Sequence, residues 1–435
     1  MPASPSLLIV PARFKTGKLY TQIATTSAGV VLGSSGDFNV TRATTATRFN
    51  SAGLIESVAS GVPRLDYYTS GGTAGCPALL VEPSGSNLCL QSENFATTWG
   101  QTVLNLTSGF ISPTNSNLGT LIEATANTGR LRQTFAAGLT SGVTSTFSLF
   151  AKLGTQSSGV TLVFQEGTGT NYASGACQSF RLDTGAVGTS GTVGAGFTIT
   201  RSNIENYGNG WYRCSLTIQL SYTPSSANLT IRPTSTVTAN LPVIASGDTC
   251  YIFGAQLETG SVATSYIPTT TAAVTRNADV ITLSGAVSGC IGQTEGTIYA
   301  EVDFRNTSSG KRLFLLSDGT SQNEIRVTSS ATNAGDLQFA VRLAGTLIVN
   351  SFSPTNVYSN GIFKIAAVYK STDYALYVNG LQVLTGNAAG NIPACNRVDI
   401  GSQLGTSNFL NDRIRAAALY TTRLTNAELQ ALTTL

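Results

Sequence analysis

Tyr374-Ala-Leu-Tyr-Val-Asn-Gly-Leu-Gln-Val-Leu384 carries the plainest structural signal in the chain. Two apolar runs of strand type, 374–378 and 381–384, flank Asn379-Gly380. Asn-Gly between such runs is the strongest short-range hairpin signal, because both turn residues must take positive φ. Working outward, the same period of two recurs. Ile298, Ala300, Val302 and Phe304 alternate with Tyr299, Glu301 and Asp303, and Leu337, Phe339, Val341 and Leu343 repeat the pattern. Phe363, Ile365, Ala367 and Tyr369 face away from Lys364 and Lys370. Alternation of this kind places one set of side chains in a core and the other on the opposite sheet face. Near the end, Leu424–Leu429 reads as a short helix with Thr425 as N-cap and Glu428 at the capping-box position.

Composition agrees with many short strands. Charged residues make up 11% of the 435-residue chain, less than half of the roughly 25% usual for soluble domains. There are 45 glycines, while the hydrophobic share of 41% is too high for disorder. The length suggests roughly three domains of ~150 residues. All-β is the expected class.

Upstream, Phe147, Leu149, Ala151 and Leu153 alternate along one strand, and 159–164 supplies the next. Turn signals at Asp183-Thr184-Gly185 and Gly208-Asn209-Gly210 follow. Tyr212, Cys214, Leu216, Ile218 and Leu220 then share one face of a long strand, with Arg213, Ser215, Thr217 and Gln219 opposite. The stretch 269–279 is rich in Thr and Ala, has no strong apolar period and reads as a linker. In 42–94 short apolar pieces alternate with turn residues, and Arg42, Arg48, Arg64 and Asp66 punctuate them. Residues 1–41 open on Leu7-Leu8-Ile9-Val10 and are broken by Gly17 and the Gly33–Gly36 cluster. They read as an arm that gains order by strand pairing with a partner, or as an ordinary first strand of the adjacent domain.

Three resemblances attach to these residues. Arg42–Arg48, Gly53–Glu56, Val62–Tyr67 and Cys76–Pro83 stand in the order and spacing of a region that resembles the N-terminus of bacteriophage virion appendage proteins, of tail-fibre or head-fibre type. Gly210-Trp211-Tyr212-Arg213, the run 251–260 and Ala263–Thr269 resemble the carbohydrate-binding-module-like sandwich common in phage fibres. The C-terminal meander, with Asn411–Arg415 as a late strand, is similar to the laminin-G and concanavalin-A-like jelly roll. Together they imply an N-terminal extended attachment segment followed by two β-sandwich (jelly-roll) domains. The divisions expected are 1–94 for virion attachment, 95–268 for the first sandwich, 269–284 for a linker and 285–435 for the second.

Chemistry is narrowed by what is missing. The chain has no histidine, so Ser-His and Cys-His nucleophile pairs are excluded. Its seven cysteines are widely spaced without a CxxC pattern and read as isolated buried thiols. No dense oxygen-ligand loop or phosphate-cradling motif is present, so no metal and no cofactor are expected. Glu301 and Asp303 share a strand face, and a glycosidase needs two carboxyls roughly 5–10 Å apart. Two solvated acids on a polar strand face explain them more simply, and the chain is expected not to be an enzyme. Net charge is +3; residues 1–66 hold six basic and three acidic groups, which leaves the remainder neutral. That is no nucleic-acid footprint, since such binders concentrate basic charge on one face. No run approaches the ~20 apolar residues that cross a bilayer.

The resemblances imply a structural appendage on the exterior of a phage particle, made in the host cytoplasm. It would attach to capsid or tail proteins through its N-terminus, form a homotrimer and adhere to host-surface glycans. A tailspike-type polysaccharide depolymerase and a purely structural decoration protein are the alternatives. Sugar recognition needs an exposed aromatic ring beside polar groups. Trp99, Trp211, Tyr212, Tyr374 and Tyr377 are the candidates, although Trp211, which follows a turn and starts a strand, also reads as core. Arg42, Arg48, Arg64 and Asp66 are the candidate virion contacts, and charge reversal at the arginines is expected to leave the sandwiches folded.

Overall fold

The structure, a computed structural model, describes residues 4–11, 14–20, 22–23, 37–135, 139–156, 158–166, 175–224, 226–234, 244–285, 289–305 and 310–435. Arg13 and the Gly33–Gly36 cluster lie outside them.

The protein is all-β, built of β-sandwiches. In the middle of the chain two antiparallel sheets of six strands face each other. One is ordered Gly100–Thr102, Arg130–Phe135, Ala227–Thr234, Gly159–Glu166, Gly175–Arg181 and Ala186–Val193. The other is ordered Leu104–Phe110, Gly119–Ala124, Thr249–Thr259, Thr144–Leu153, Trp211–Leu220 and Phe197–Asn206. Their inner faces bury Phe147, Leu149, Leu162, Phe164, Cys214, Leu216, Ile218 and Leu220 in one core. Full burial of such side chains contributes roughly 1.5–3 kcal/mol each, the main term holding the sheets together.

The C-terminal sandwich has two nine-stranded sheets, and neither is built from C-terminal residues alone. One contains Leu381–Gly386, Tyr374–Val378, Gly361–Lys370, Glu295–Phe304 and Asp412–Tyr420, with Leu7–Ile9, Gln22–Ile23, Leu65–Tyr68 and Ala74–Val81 joined on. Leu7 pairs with Leu419 and Val81 with Asp412, so two segments far upstream complete the last strand. The other sheet runs from Thr346–Phe352 through Leu337–Leu343, Glu324–Ser329, Arg312–Ser317 and Arg397–Ile400 to Val280–Ser284 and Phe38–Thr41. Ile281 pairs with both Ile400 and Val40. The hairpin at Asn379-Gly380 forms with φ of 47° and 83°. The helix Asn426–Thr433 carries the capping box, Glu428 N–H donating to Thr425 Oγ1 over 3.3 Å and Thr425 N–H to Glu428 Oε2 over 2.8 Å.

Two segments thus sit differently from their sequence reading. Among the described residues of 1–94, Leu7–Ile9, Phe38–Thr41, Leu65–Tyr68 and Ala74–Val81 are strands inside the C-terminal sheets, so these pieces are not held apart as an extended arm. Residues 269–284 hold Val274–Arg276, paired with Gly85–Asn87, and Val280–Ser284. Sequence periodicity has no view of such pairing, since the strands are short and their partners lie some 200 to 400 residues away.

Candidate functional site

In the segment 42–83, Arg42, Arg64, Asp66 and Glu82 are buried and ion-paired with residues from far along the chain. Arg64, with a fully buried side chain, donates from Nη1 to Glu82 Oε2 (2.8 Å), Ser265 Oγ (2.7 Å) and the Thr47 carbonyl (3.1 Å), and from Nη2 to Asp279. Arg42 Nη1 reaches the same Asp279 at 2.9 Å, and its Nη2 donates to the Ala59 carbonyl over 2.7 Å. Glu82 takes further donors from Ser265 N–H (2.8 Å) and Oγ (2.7 Å), and lies 3.4 Å from Arg276 and 3.6 Å from Arg305. Asp66 accepts from Phe49 N–H (3.0 Å), Tyr68 N–H (3.1 Å) and Arg413 Nε (2.7 Å). Burial alone would raise the Glu82 carboxyl, but the surrounding guanidiniums win and hold it well below the usual carboxylate range. These are the residues of the fibre-like motif, together with Arg276 and Asp279 from the stretch read as a linker.

This placement corrects the candidate virion contacts. Arg42, Arg64 and Asp66 are buried in the joint and cannot meet another protein. Arg48 alone of the four stays partly open, paired with Glu56 at 2.7 Å. Most of the sugar-platform candidates are corrected too, since a buried ring presents no face to a pyranose. Trp99 packs on Phe95 and donates its indole N–H to the Leu90 carbonyl over 3.2 Å. Tyr374 lies in the C-terminal core, and Tyr377 is buried under Leu429 of the helix. Trp211 is 3% exposed in an aromatic cluster with Phe49, Phe150, Tyr207, Phe253 and Tyr266. Truncation of Trp211 to Ala should therefore cost about 3–5 kcal/mol in urea unfolding of the middle sandwich, as for other large buried rings. A near-wild-type midpoint would remove it from the core. Tyr212, half-buried, lines a cleft of about 510 Å³ with Gly71, Gly72, Gly208 and Gly210.

A second cleft, of about 480 Å³, opens where the three parts of the chain meet. Tyr68, Thr69 and Ser70 come from the N-terminal segment and Asn203 to Asn206 from the end of the strand Phe197–Asn206. Asp303, Arg305, Arg413 and Arg415 come from the C-terminal sandwich. Arg305 lies 3.6 Å from Glu205 of the other sandwich, and its carbonyl accepts from Arg201 Nη2 over 2.9 Å. Burial works against the Arg305 charge, but Glu205, Tyr207 and Glu82 outweigh it and raise its pKa above the ordinary arginine value. The Arg413 guanidinium stands 4.7 Å over the Tyr68 ring and 3.9 Å from Asp303. Burial, then the charges of Glu205 and Tyr207, push the Tyr68 phenol up, so it stays protonated at neutral pH.

Glu301 and Asp303 are therefore not solvated acids on a free strand face. Glu301 binds Arg415 at 2.7 Å, while Asp303 faces the cleft with its side chain 24% exposed. Glu205, a second cleft carboxylate, carries no signal in the sequence. The arrangement joins two carboxylates with guanidiniums and amides, which suits an oxygen-rich anionic ligand and acid–base chemistry upon it. Among the described residues no cluster of three or more Cys, Asp or Glu is grouped to hold a metal ion, and no helix is long and apolar enough to cross a membrane.

Residues 275–430 match the family model of the concanavalin A-like lectin/glucanases superfamily, which gives this part of the chain a concanavalin A-like, lectin-like architecture. Solved structures similar to part of the chain include the CBM40 of the Ruminococcus gnavus IT-sialidase, at 16% identity over 34% of this chain and 87% of that one, with a TM-score of 0.30. The K499G mutant of NanB sialidase from Streptococcus pneumoniae shows 15% identity over 35% of this chain and 26% of that one, with a TM-score of 0.30. Domain 4 of AbnA, a GH43 arabinanase from Geobacillus stearothermophilus, in complex with arabinotriose, shows 10% over 40% and 82%, with a TM-score of 0.31. No curated protein matches the chain. The expectation that the chain is not an enzyme is corrected here by the match of residues 275–430 to a superfamily whose description names glucanases beside lectins.

Proposed function

We propose that this chain is a polysaccharide-directed appendage of a phage particle, of tailspike type, which binds an acidic glycan in the cleft between its sandwiches and cleaves it. The observation that carries the reading is that Glu205 and Asp303, from different sandwiches, line one cleft with Arg305, Arg413 and Arg415. The guanidiniums hold a carboxylate-bearing sugar. One carboxyl donates a proton to the departing glycosidic oxygen as its bond to the anomeric carbon breaks, while the other takes a proton from the water that forms the new bond there. Water added in this way leaves one new reducing end per bond broken. The order of the four motif pieces in 42–83 supports the virion context, with attachment to capsid or tail proteins on the particle exterior. Assembly as a homotrimer belongs to the same proposal, and light scattering of the full chain tests it.

Reducing-end release from an acidic capsular polysaccharide tests the cleft. Glu205→Gln and Asp303→Asn should each lower the rate by at least about 100-fold, the usual worth of a positioned acid or base. Wild-type rates in both variants would remove the cleft from the reaction. Adhesion without cleavage is the second reading, favoured by the lectin superfamily match; tight glycan binding with no new reducing ends would establish it. A chain that binds no glycan would leave decoration alone.

A further inference from the structure

The sheet that ends at Thr346–Phe352 carries a second group of charges, on its face away from the core. Ile325 and Val327 point into the core, so Glu324, Arg326 and Thr328 point outward from the same strand. Arg312 lies on the strand paired to one side and Arg342 on the strand paired to the other. Arg326 Nη1 donates to Glu324, and Arg342 Nε stands 3.6 Å from the same carboxylate. Gln403 Nε2 donates to its other oxygen over 3.1 Å, while Gln403 Oε1 takes Arg312 Nε. Arg312 Nη1 donates to Thr328 Oγ1 over 2.7 Å. Nearby Asp399 is committed to Arg397, at 2.7 and 2.8 Å.

Among the described residues Arg326 and Arg342 therefore share one carboxylate, and Arg312 beside them is held only by the neutral Gln403 and Thr328. Their donors are also unmet, since the Nε atoms of Arg326 and Arg342 are buried without a hydrogen-bond partner. A buried charged donor left unpaired is costly, so a sheet face that keeps two of them suits an added acceptor. Burial, then the neighbouring like charges, push Arg326 and Arg312 down to about 10, as expected of crowded cations. The Arg342 side chain, 28% exposed, leaves the group open to solvent.

We propose that Arg312, Arg326 and Arg342 form a second anion site, which takes the carboxylate of an acidic glycan strand outside the cleft. The choice of glycan rests on the function proposed above. The site lies on different elements from Glu205 and Asp303, so a chain would be held at two places and cut at one. Two-point attachment raises effective local concentration without new contacts at the cleft.

Isothermal titration of the full chain with a glucuronate-containing oligosaccharide tests this, with a neutral glucose oligosaccharide and sodium sulfate as comparison probes. Two glucuronate sites per chain are expected and none for the neutral sugar. Arg312→Gln and Arg342→Gln should each weaken one site at least tenfold and leave the other, along with reducing-end release from a short substrate, unchanged. Glu324→Gln removes the competing carboxylate and should tighten that site, an opposite shift that no loss of folding can imitate. Unchanged affinity in all three variants overturns the proposal, as does binding of sulfate but not of the oligosaccharide. If Glu205→Gln abolishes no cleavage while these shifts appear, the cleft reading fails and the anion site stands.

Discussion

A chain lacking residues 1–94 will not yield two folded sandwiches; the C-terminal one should be lost and the product should aggregate. The truncation removes Leu7, Ile9, Leu19, Phe38, Val40, Leu65, Leu79 and Val81 from a single core. At roughly 1.5–3 kcal/mol per buried side chain their loss is on the order of 12–24 kcal/mol, an upper bound that exceeds the whole ~5–15 kcal/mol of a typical domain. It also strips one side of Asp412–Tyr420 and of Val280–Ser284, leaving unpaired edges that invite association. Limited proteolysis and calorimetry of 95–435 beside the full chain measure the outcome. A soluble fragment that keeps the C-terminal thermal transition would show that the upstream strands are accessory.

The second large effect is expected at the buried network. Asp279→Ala leaves Arg42 and Arg64 without their shared carboxylate, and Glu82→Ala strands Arg64, Arg276 and Arg305. Removing one partner of a buried ion pair costs about 3–5 kcal/mol, because the remaining charge stays desolvated. Arg48→Ala breaks a partly exposed pair and should cost no more than about 1 kcal/mol. Charge reversal at Arg42 or Arg64 should therefore unfold the joint, in contrast to the outcome expected from sequence. The network also sets an acid limit. The folded carboxyl of Glu82 is depressed, so its stabilisation is complete above the ordinary value near 4.5 and fades as pH falls towards the folded one. Glu258 and Asp399 act in the opposite sense, since burial raises them and acid favours their protonated, folded form. Urea midpoints of wild type and Glu82→Gln, followed from pH 7 to pH 3, separate the two. The wild-type advantage should shrink below about pH 4.5, and an advantage constant across the range would contradict the depressed value.

The local code was legible along the chain. Strand alternation in 298–304 and 337–343, the Asn379-Gly380 turn and the Thr425 cap depend on neighbours a few residues apart, so they could be read directly. The fold class followed from them. The motif residues Arg42, Arg64, Asp66 and Glu82 were visible too, but their meaning was not. Solvent contact and burial in an ion network look alike in a one-dimensional pattern, because the partners at 265, 279 and 413 are distant in the chain. Arg213, Ser215 and Thr217 show the same limit: they alternate as a solvent face would, yet all are buried. Only the tertiary structure decided that Leu7–Ile9 and Phe38–Thr41 finish the C-terminal sheets, since an unpaired strand edge attracts any matching segment without leaving a local signal. It alone brought Glu205 of one sandwich to Asp303 and Arg305 of the other. A site formed where separate elements converge has no contiguous sequence, and its chemistry exists only once the core and the buried charges hold those elements in place.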